Sequence, residues 1–280
     1  MIKTKKELKE KDIKPVKHLG QNFLINKEII EKIISAAQIK AGETILEVGP
    51  GTGNLTEGLL GVGAEVTAIE KDKNLASLLK LKIKKQKLKI IEGDILKFNE
   101  TAIKNPYRVI ANIPYYLTGA LIQKFLLSKN LPKELMLMIQ KEVGERITAR
   151  PPKANFLSSL TQFLAESEIL FKVGKENFWP QPKVDSVLIK LTPFSYLNKS
   201  LRSFDFIKIE KEKREEFIKF LRVVFRQPRQ TLFNNLRKSG TIPPDRLGTV
   251  FSQLEFNKKI RPQNLDSQQL LKLFQAIFGY

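Results

Sequence analysis

The 280-residue chain contains no cysteine and only one histidine, His18. Without thiols there is neither a disulfide framework nor a thiolate metal site. A single imidazole also leaves little for a metal cluster or a serine triad. The sequence therefore argues against a metalloenzyme and against a serine hydrolase, and we expect no metal.

The chain also lacks long apolar runs. No stretch reaches the length of a membrane-spanning helix, and the opening segment has no apolar core of signal-peptide type. Residues 1–17 instead mix lysines with a few acids, which is typical of a solvated basic tail and only secondarily of an RNA-contacting arm. We therefore expect a cytoplasmic protein without a membrane partner.

Acidic residues are few relative to basic ones. The chain has 29 Asp and Glu against 49 Lys and Arg, which gives a formal net charge of +20. Such an excess favours a polyanionic partner, because binding releases counterions and the field steers the encounter. A merely lysine-rich surface is the plainer alternative. The charge indicates nucleic acid but does not say which one.

The pattern along the chain predicts two domains behind the tail. Between residues 40 and 193 short β-rich runs alternate with helix-length amphipathic segments, the rhythm of a parallel sheet covered by helices. An irregular segment, 174–185, separates the last two runs, so we expect an antiparallel member at one edge. The predicted strands are 44–48, 65–69, 88–91, 108–111, 135–140, 169–173 and 186–191, and the predicted helices between them include 74–83 and 118–127.

Beyond residue 193 apolar residues recur at helical spacing in 208–225, 230–240 and 266–279, and no strand pattern returns. This part is predicted to be a small all-α domain. The expected organisation is a basic tail over 1–17, an α/β domain over 18–196 and a helical domain over 197–280.

A glycine loop follows the first predicted strand. Gly49, Gly51 and Gly53 allow a tight turn and let a ligand approach main-chain N–H groups at the switch point of a doubly wound sheet. The dinucleotide fingerprint would require glycine at position 54, where this chain has Asn54. On its own the loop is a weak indication of a cofactor.

Acidic residues end the next two predicted strands. Glu70 is placed to accept hydrogen bonds from ribose hydroxyls, and Asp94 to accept one from an adenine amino group. Either acid alone is more simply a solvated loop carboxylate. Together with the glycine loop they predict an adenosine pocket, which NAD or S-adenosyl-L-methionine could fill. The glycine spacing, and the lack of an obvious acid for hydride transfer, favour S-adenosyl-L-methionine.

The fourth predicted strand ends in "VIANIPYYLT", residues 109–118. Pro114 fixes its φ, so the Asn112 amide and the carbonyl of Ile113 or Pro114 can converge on one planar amine. Tyr115 offers a stacking face for a base. We interpret this corner as the site where adenine N6 is methylated. A packed turn is the alternative, and we assign Tyr116 to the core.

Such a corner needs no general base. Hydrogen bonds to both amine hydrogens favour rehybridisation and stabilise the positive charge that grows on nitrogen as the methyl arrives. The methylated ammonium is acidic enough to lose its proton to water.

Seven segments of the chain form an ordered set: "HLGQNFL" (18–24), "LEVGPGTGNLT" (46–56), "IEKD" (69–72), "EGDIL" (92–96), "ANIPYYLTGALI" (111–122), "MIQKEVGERI" (138–147) and "FWPQPKVDSVLIKL" (178–191). Together they resemble the small-subunit rRNA adenine N6,N6-dimethyltransferase family. The resemblance implies a class I (Rossmann-like) methyltransferase domain with a small C-terminal all-α domain. It also implies methyl transfer to two adjacent adenosines in the 3′-terminal hairpin loop of small-subunit rRNA, on the immature small subunit during its biogenesis, and we expect a monomer.

The resemblance also assigns roles to residues. Tyr115 and Phe178 match aromatics that sandwich the extruded target base, with core packing as the alternative for Phe178. Gly51 and Pro114 complete the site from the loop and the corner. The candidate cofactor-binding residues are Asn22, Leu24, Gly49, Gly51, Glu70, Asp94 and Asn112, and the candidate catalytic residues are Asn112, Pro114, Tyr115 and Phe178.

Three alternatives stay open. Macrolide-resistance methyltransferases share the loop and the corner but modify a large-subunit adenine, and they are not expected to carry a segment like "FRQPRQTLFNNL", residues 225–236. A non-catalytic assembly factor would bind RNA with a degenerate site, whereas Glu70, Asp94 and the corner are intact here. An NAD-dependent oxidoreductase would bind NAD in preference to S-adenosyl-L-methionine.

Overall fold

The structure is a computed structural model of the 280-residue chain. Of the predicted tail, only residues 15–16 are described, and His18 also lies outside the described residues. The described residues are 15–16, 19–83, 86–104, 106–197, 211–240 and 242–279.

The chain divides into two compact units. The first, which we call the sheet unit, comprises the residues up to Gly144 together with Glu168–Pro193, and the second, the helical unit, comprises Glu145–Ser167 and Phe194–Tyr280. The described strands are β1 (Phe23–Leu24), β2 (Thr44–Val48), β3 (Glu65–Glu70), β4 (Leu88–Glu92), β5 (Tyr107–Asn112), β6 (Glu134–Gln140), β7 (Ala165–Val173), β8 (Phe178–Trp179) and β9 (Ser186–Pro193). The described α-helices are α1 (Lys27–Ala37), α2 (Asn54–Gly61), α3 (Lys73–Lys82), α4 (Thr118–Leu126), α5 (Lys141–Ile147), α6 (Phe156–Leu164), α7 (Lys211–Val224), α8 (Leu232–Lys238), α9 (Pro244–Gln253) and α10 (Ser267–Phe278).

The main sheet has seven strands in the order β4-β3-β2-β5-β6-β9-β7. The first five run parallel in neighbouring pairs, and β9 runs antiparallel to β6, with Gln140 opposite Ser186. All seven predicted strands are present, and the antiparallel member is confirmed. The α/β fold class with a mainly parallel sheet is likewise confirmed.

The interior strands could be found in the sequence because they are buried on both faces. The middle of β6 reads Leu-Met-Leu-Met-Ile, and every one of these residues is buried. A continuous apolar run of this length is typical of a parallel strand covered by helices on both sides. At the sheet edge β4 is only partly buried, and its charged residues Lys89 and Glu92 are exposed.

A basic side chain is buried within the central strands. Arg108 on β5 donates to Glu43 at 3.0 Å, to Glu134 at 2.7 Å and to the Ala37 carbonyl. Because its charge is paired and its N–H groups are bonded, burial is tolerated. This cluster joins the amino-terminal ends of β2, β5 and β6, at the edge opposite the glycine loop.

The strand order places a crevice at the carboxyl ends of β2 and β5. The chain runs from β2 outward through β3 and β4, then returns to β5 on the other side of β2. In open α/β sheets ligands bind at such a switch point. The glycine loop and the Asn112 corner follow these two strands and therefore face each other.

A second, two-stranded sheet was not predicted. It pairs β1 with β8, with Phe23 opposite Trp179 and Leu24 opposite Phe178. Each strand has only two residues, which is too short to show an alternation of apolar and polar residues, and the paired residues lie more than 150 positions apart in the sequence. Only tertiary contacts could reveal this pairing.

The helical unit has its own aromatic core. Phe217 on α7 packs edge-on against Phe274 on α10 at 5.1 Å and against Phe163 on α6 at 4.4 Å, measured between ring centroids. The segment 145–167 therefore groups with the helical unit, which differs from the predicted boundary at residue 196. Of the predicted helix 208–225, residues 208–210 lie outside the described residues, and α9 was not predicted.

None of the helices that the structure describes combines the length and the apolar character needed to span a bilayer.

Candidate active site

The glycine loop leaves β2 with three glycines in the left-handed region. The φ angles are +63° at Gly49, +58° at Gly51 and +84° at Gly53. A Cβ added at Gly51 would lie 2.9 Å from the Phe23 ring, so position 51 has no room for a side chain. Asn54, which replaces the glycine of a dinucleotide fingerprint, donates from its buried side chain to the Leu24 carbonyl at 2.8 Å. The loop is thus tied to β1.

Glu70 lies beside this loop at the end of β3. One carboxylate oxygen accepts a hydrogen bond from the Gly51 amide at 3.0 Å, and the other accepts one from the Asp72 amide at 2.9 Å. Burial raises the pKa of Glu70, and these two hydrogen bonds oppose the increase. The carboxylate is held in place with lone pairs left for the hydroxyls of a ribose.

Asp94 lies beyond the end of β4. Its carboxylate accepts hydrogen bonds from the Leu96 amide at 2.9 Å and from the Lys71 ammonium at 3.0 Å. These two hydrogen bonds, with the Leu96 amide first, lower the pKa of Asp94. The glycine loop, Glu70, Asp94 and the Asn112 corner line one cavity. Within it, Asp94 is an ionised acceptor where the sequence predicts the adenine of a cofactor.

The segment before β1 is fastened to the cavity. Asn112 donates from its side chain to the Asn22 carbonyl at 3.0 Å, which leaves the amide oxygen of Asn112 for another partner. Gln21, which sequence reasoning missed, donates to Asp72 at 2.9 Å and accepts from the Val16 amide at 2.8 Å. These hydrogen bonds join the strand ends that carry Glu70 and Asn112 to one covering segment.

The corner itself is a short 3-10 turn, Tyr115–Leu117, that follows Pro114. The Pro114 carbonyl accepts from the Leu117 amide at 3.0 Å, which favours the Ile113 carbonyl as the second acceptor for an amine. A Cβ at Gly49 would lie 3.7 Å from the Pro114 ring, so corner and loop are in close proximity.

Tyr115 is anchored at its hydroxyl. The phenol oxygen lies 2.8 Å from Ser186 Oγ, and the serine is completely buried at the start of β9. Burial raises the pKa of Tyr115, which keeps the phenol neutral. Sequence reasoning missed Ser186, although a polar residue opening an apolar strand was an available signal. The hydrogen bond fixes the ring and leaves its face for stacking.

Of the described residues, those that line the cavity include each candidate cofactor-binding residue as well as Pro114 and Tyr115, but not Phe178. Phe178 is 3% exposed and packs in the same core cluster as Leu24. To stack on a target base it would have to leave that core, so its role stays a prediction. Trp179 is less buried and packs against Phe23 at 6.4 Å between ring centroids.

The assignment of Tyr116 to the core is wrong, because its side chain is 55% exposed at the cavity mouth. The turn that points Tyr115 inward carries the next residue outward. Within the described ranges no three His, Cys, Asp or Glu side chains are grouped so as to hold a metal ion.

Glu47 is a further residue that the sequence reasoning missed. It lines the cavity from β2, is 1% exposed and accepts a hydrogen bond from Thr56 Oγ1 at 2.7 Å. Burial raises the pKa of Glu47 from 4.5 to about 8, the Thr56 hydroxyl opposes this, and the charge of Glu70 adds to it. Without a cationic ligand, Glu47 is therefore protonated near neutral pH.

The Glu47→Gln variant should show what this burial does to stability. Between pH 4.5 and pH 8 folded Glu47 keeps a proton that the unfolded chain has released, so wild-type stability falls as the pH rises through this window. Glutamine retains an acceptor for Thr56 but does not titrate. As the pH rises from about 5 to about 8, the free energy of unfolding of the variant should increase by about 3 kcal/mol relative to that of wild type. Denaturant unfolding at each pH measures the free energy of unfolding of both proteins. A difference between them that does not change with pH would contradict the prediction.

Comparison with known proteins identifies the family. The model of the family described as ribosomal RNA adenine dimethylase matches residues 14–277. A protein named ribosomal RNA small subunit methyltransferase A from Clostridium botulinum (strain Okra / Type B1) is 35% identical over 283 residues, covering 99% of each chain. Its namesake from Mesomycoplasma hyopneumoniae (strain J) is 36% identical over 267 residues, covering 95% of this chain and 97% of the relative.

Solved structures agree with this. A dimethyladenosine transferase from Plasmodium falciparum has a TM-score of 0.72 and 29% sequence identity, and the match covers 89% of this chain and 94% of that one. The 23S rRNA methyltransferase ErmE has a TM-score of 0.68 at 24% identity, covering 91% and 99%, which supports the fold alone.

The glycine cradle, the two strand-terminal acids and the corner fit S-adenosyl-L-methionine, and the predicted cofactor and the methyltransferase activity are confirmed by the family. The chain belongs to the ribosomal RNA adenine dimethylase family.

Proposed function

We propose that this protein transfers methyl groups from S-adenosyl-L-methionine to N6 of two adjacent adenosines in the 3′-terminal hairpin loop of small-subunit rRNA. Its substrate is the immature small subunit, on which it acts as a cytoplasmic monomer. The observation that carries the proposal is the position of Asn112, whose side chain is fixed to the Asn22 carbonyl at 3.0 Å beside the glycine loop. The names of the relatives support the small-subunit rRNA and the dimethylated product.

The residues of the site divide the work. Glu70 and Asp94 orient the adenosine part of the cofactor, whose sulfonium supplies an activated methyl group. The Asn112 amide oxygen and the Ile113 carbonyl accept the two N6 hydrogens, and Tyr115 holds the adenine ring. These acceptors stabilise positive charge on N6 as the new bond forms. The extra proton then leaves to water.

The choice between ribosomal subunits rests on the relatives and on one segment. ErmE shares the fold of this chain, but similarity at 24% identity does not indicate that the two proteins share an RNA substrate. Arg226 and Arg229 are exposed in the loop before α8, within the segment that favours small-subunit rRNA. The buried Asn235 side chain holds this loop by donating to the carbonyls of Val224 at 3.0 Å and Gln227 at 3.1 Å. The relatives named for the small subunit, which cover nearly the whole chain, support the same choice.

Labelled methyl transfer tests the proposal. Purified protein is incubated with methyl-labelled S-adenosyl-L-methionine and, separately, with immature small subunits, mature small subunits and large subunits that lack their own adenine methylation. Label is expected in the RNA of the immature small subunit only. Label in large-subunit RNA would favour the macrolide-resistance activity, and binding without transfer would favour the assembly factor.

The hydrogen bond between Tyr115 and Ser186 provides a further test. Ser186→Ala and Tyr115→Phe each remove it, and each should lower kcat/KM for the subunit by about fivefold, which corresponds to about 1 kcal/mol. Because both changes remove the same contact, the double variant should be no worse than either single one. Multiplied losses in the double variant would show that Ser186 acts by another route. Cofactor affinity, measured by titration, should stay constant throughout.

A further inference from the structure

Two consecutive tyrosines of the corner are placed in opposite ways. Tyr115 is half-buried and bonded to Ser186, whereas the Tyr116 side chain is 55% exposed. Both line the same cavity, Tyr115 toward its interior and Tyr116 at its mouth. Because Tyr116 is exposed, packing in the core does not explain why a tyrosine occupies this position. The methylation chemistry does not use it either.

The Tyr116 ring is nevertheless held in place. A Cβ added at Gly20 would lie 3.4 Å from its Cδ1 and 3.5 Å from its Cε1, so one ring edge rests beside the Gly20 backbone. Gly20 has a φ of +61°, which favours glycine there. The turn below is fixed by the hydrogen bond from Leu117 to Pro114. A rigid aromatic with one open side loses little entropy when a ligand stacks on it.

A lysine lines the cavity together with this ring, and a second lysine lies near its carboxylate partner. The Lys71 ammonium lies 3.0 Å from the Asp94 carboxylate, and both residues line the same cavity as Tyr116. Lys97 is exposed and lies close enough to Asp94 to lower its pKa. Two ammonium groups against one carboxylate leave a positive excess. An open aromatic face beside cations matches a nucleotide, whose base stacks and whose phosphate is anionic.

We propose that Tyr116 is a stacking platform for the nucleotide next to the adenosine held at Tyr115, with Lys71 and Lys97 facing its phosphate. This inference rests on the proposed function. An adenosine extruded into the corner leaves its neighbour without a stacking partner, and an aromatic face at the cavity mouth replaces it. For two adjacent target adenosines, the platform holds one while the other is methylated.

Three variants test the platform on the immature small subunit with labelled cofactor. Tyr116→Ala should raise KM for the subunit about tenfold, as loss of one base–aromatic stack predicts, with kcat and cofactor affinity within twofold of wild type. Tyr116→Phe, which keeps the ring, should restore KM to within about twofold. Tyr196→Ala, at an exposed tyrosine of the helical unit, is the control and should behave as wild type.

Several outcomes would overturn the platform: an unchanged KM in Tyr116→Ala, a loss confined to cofactor affinity, or Phe and Ala variants that are equally impaired. If Tyr116→Ala does not fold, a photoreactive phenylalanine at position 116 should crosslink to the nucleotide adjacent to the methylated adenosine, and a crosslink elsewhere would contradict the platform. Wild-type transfer is measured first. Its absence would contradict the proposed function, whereas transfer that does not depend on Tyr116 contradicts the platform alone.

Discussion

Replacing Asn112 by alanine is expected to lower kcat for methyl transfer by about 100- to 1,000-fold. The side-chain oxygen of Asn112 is the acceptor assigned to one N6 hydrogen, and loss of one such preorganised group in an active site costs about 100- to 1,000-fold. The change also removes the hydrogen bond to the Asn22 carbonyl. Cofactor affinity should therefore fall as well, by about tenfold.

Single-turnover transfer of labelled methyl at saturating cofactor measures the chemical loss, and filter binding measures affinity for the immature subunit, which should stay unchanged. Asn112→Asp keeps an acceptor but loses the donor to Asn22, so its activity should fall between those of wild type and Asn112→Ala. Asn74→Ala, at an exposed position on α3, is the matched control. Transfer by Asn112→Ala within tenfold of wild type would remove Asn112 from the chemistry.

Replacing Glu70 by glutamine is expected to raise the dissociation constant for S-adenosyl-L-methionine about 100-fold, with kcat at saturating cofactor changed by less than threefold. The carboxylate already accepts from the amides of Gly51 and Asp72. In Glu70→Gln the side-chain NH2 group would face one of these two backbone N–H donors, and the negative charge would be lost. Two weakened hydrogen bonds to a charged group are worth about 3 kcal/mol together.

Calorimetric titration of the cofactor measures the Glu70 effect. Glu92→Gln is the matched control, because Glu92 lies directly opposite Glu70 in the sheet. Among the ion pairs of the described residues, Glu92 takes part only in an exposed one, with Lys73 at 3.7 Å. The control should bind the cofactor as wild type does. If Glu70→Gln and Glu92→Gln weaken cofactor binding equally, the effect comes from the negative electrostatic potential of the sheet edge rather than from a contact between Glu70 and the ribose.

The sequence was most informative where burial and backbone conformation leave few choices. Continuous apolar runs such as that in β6 permit little besides an interior strand, and glycines at positions 49 and 51 are required by positive φ angles and close approach. Because the carboxyl ends of parallel strands share one edge of a sheet, the sequence alone predicts that Glu70, Asp94 and Asn112 lie at one cavity.

Side-chain direction and long-range pairing could not be obtained in this way. Phe178 and Trp179 are adjacent, and only the pairing of β8 with β1 decides that Phe178 is the buried member. Tyr115 and Tyr116 likewise differ through the 3-10 turn that separates their directions. The Ser186 contact depends on a register between distant strands, which no local pattern contains.

The most direct test of the proposed function is to locate the methyl groups. Immature small subunits are incubated with protein and cofactor, their rRNA is digested, and the fragments are sequenced by mass spectrometry, with Asn112→Ala as the negative control. We predict two methyl groups on each of two adjacent adenosines in the 3′-terminal hairpin loop, and none with the variant. Methylation of a single adenosine elsewhere, or of large-subunit rRNA instead, would contradict the proposed function.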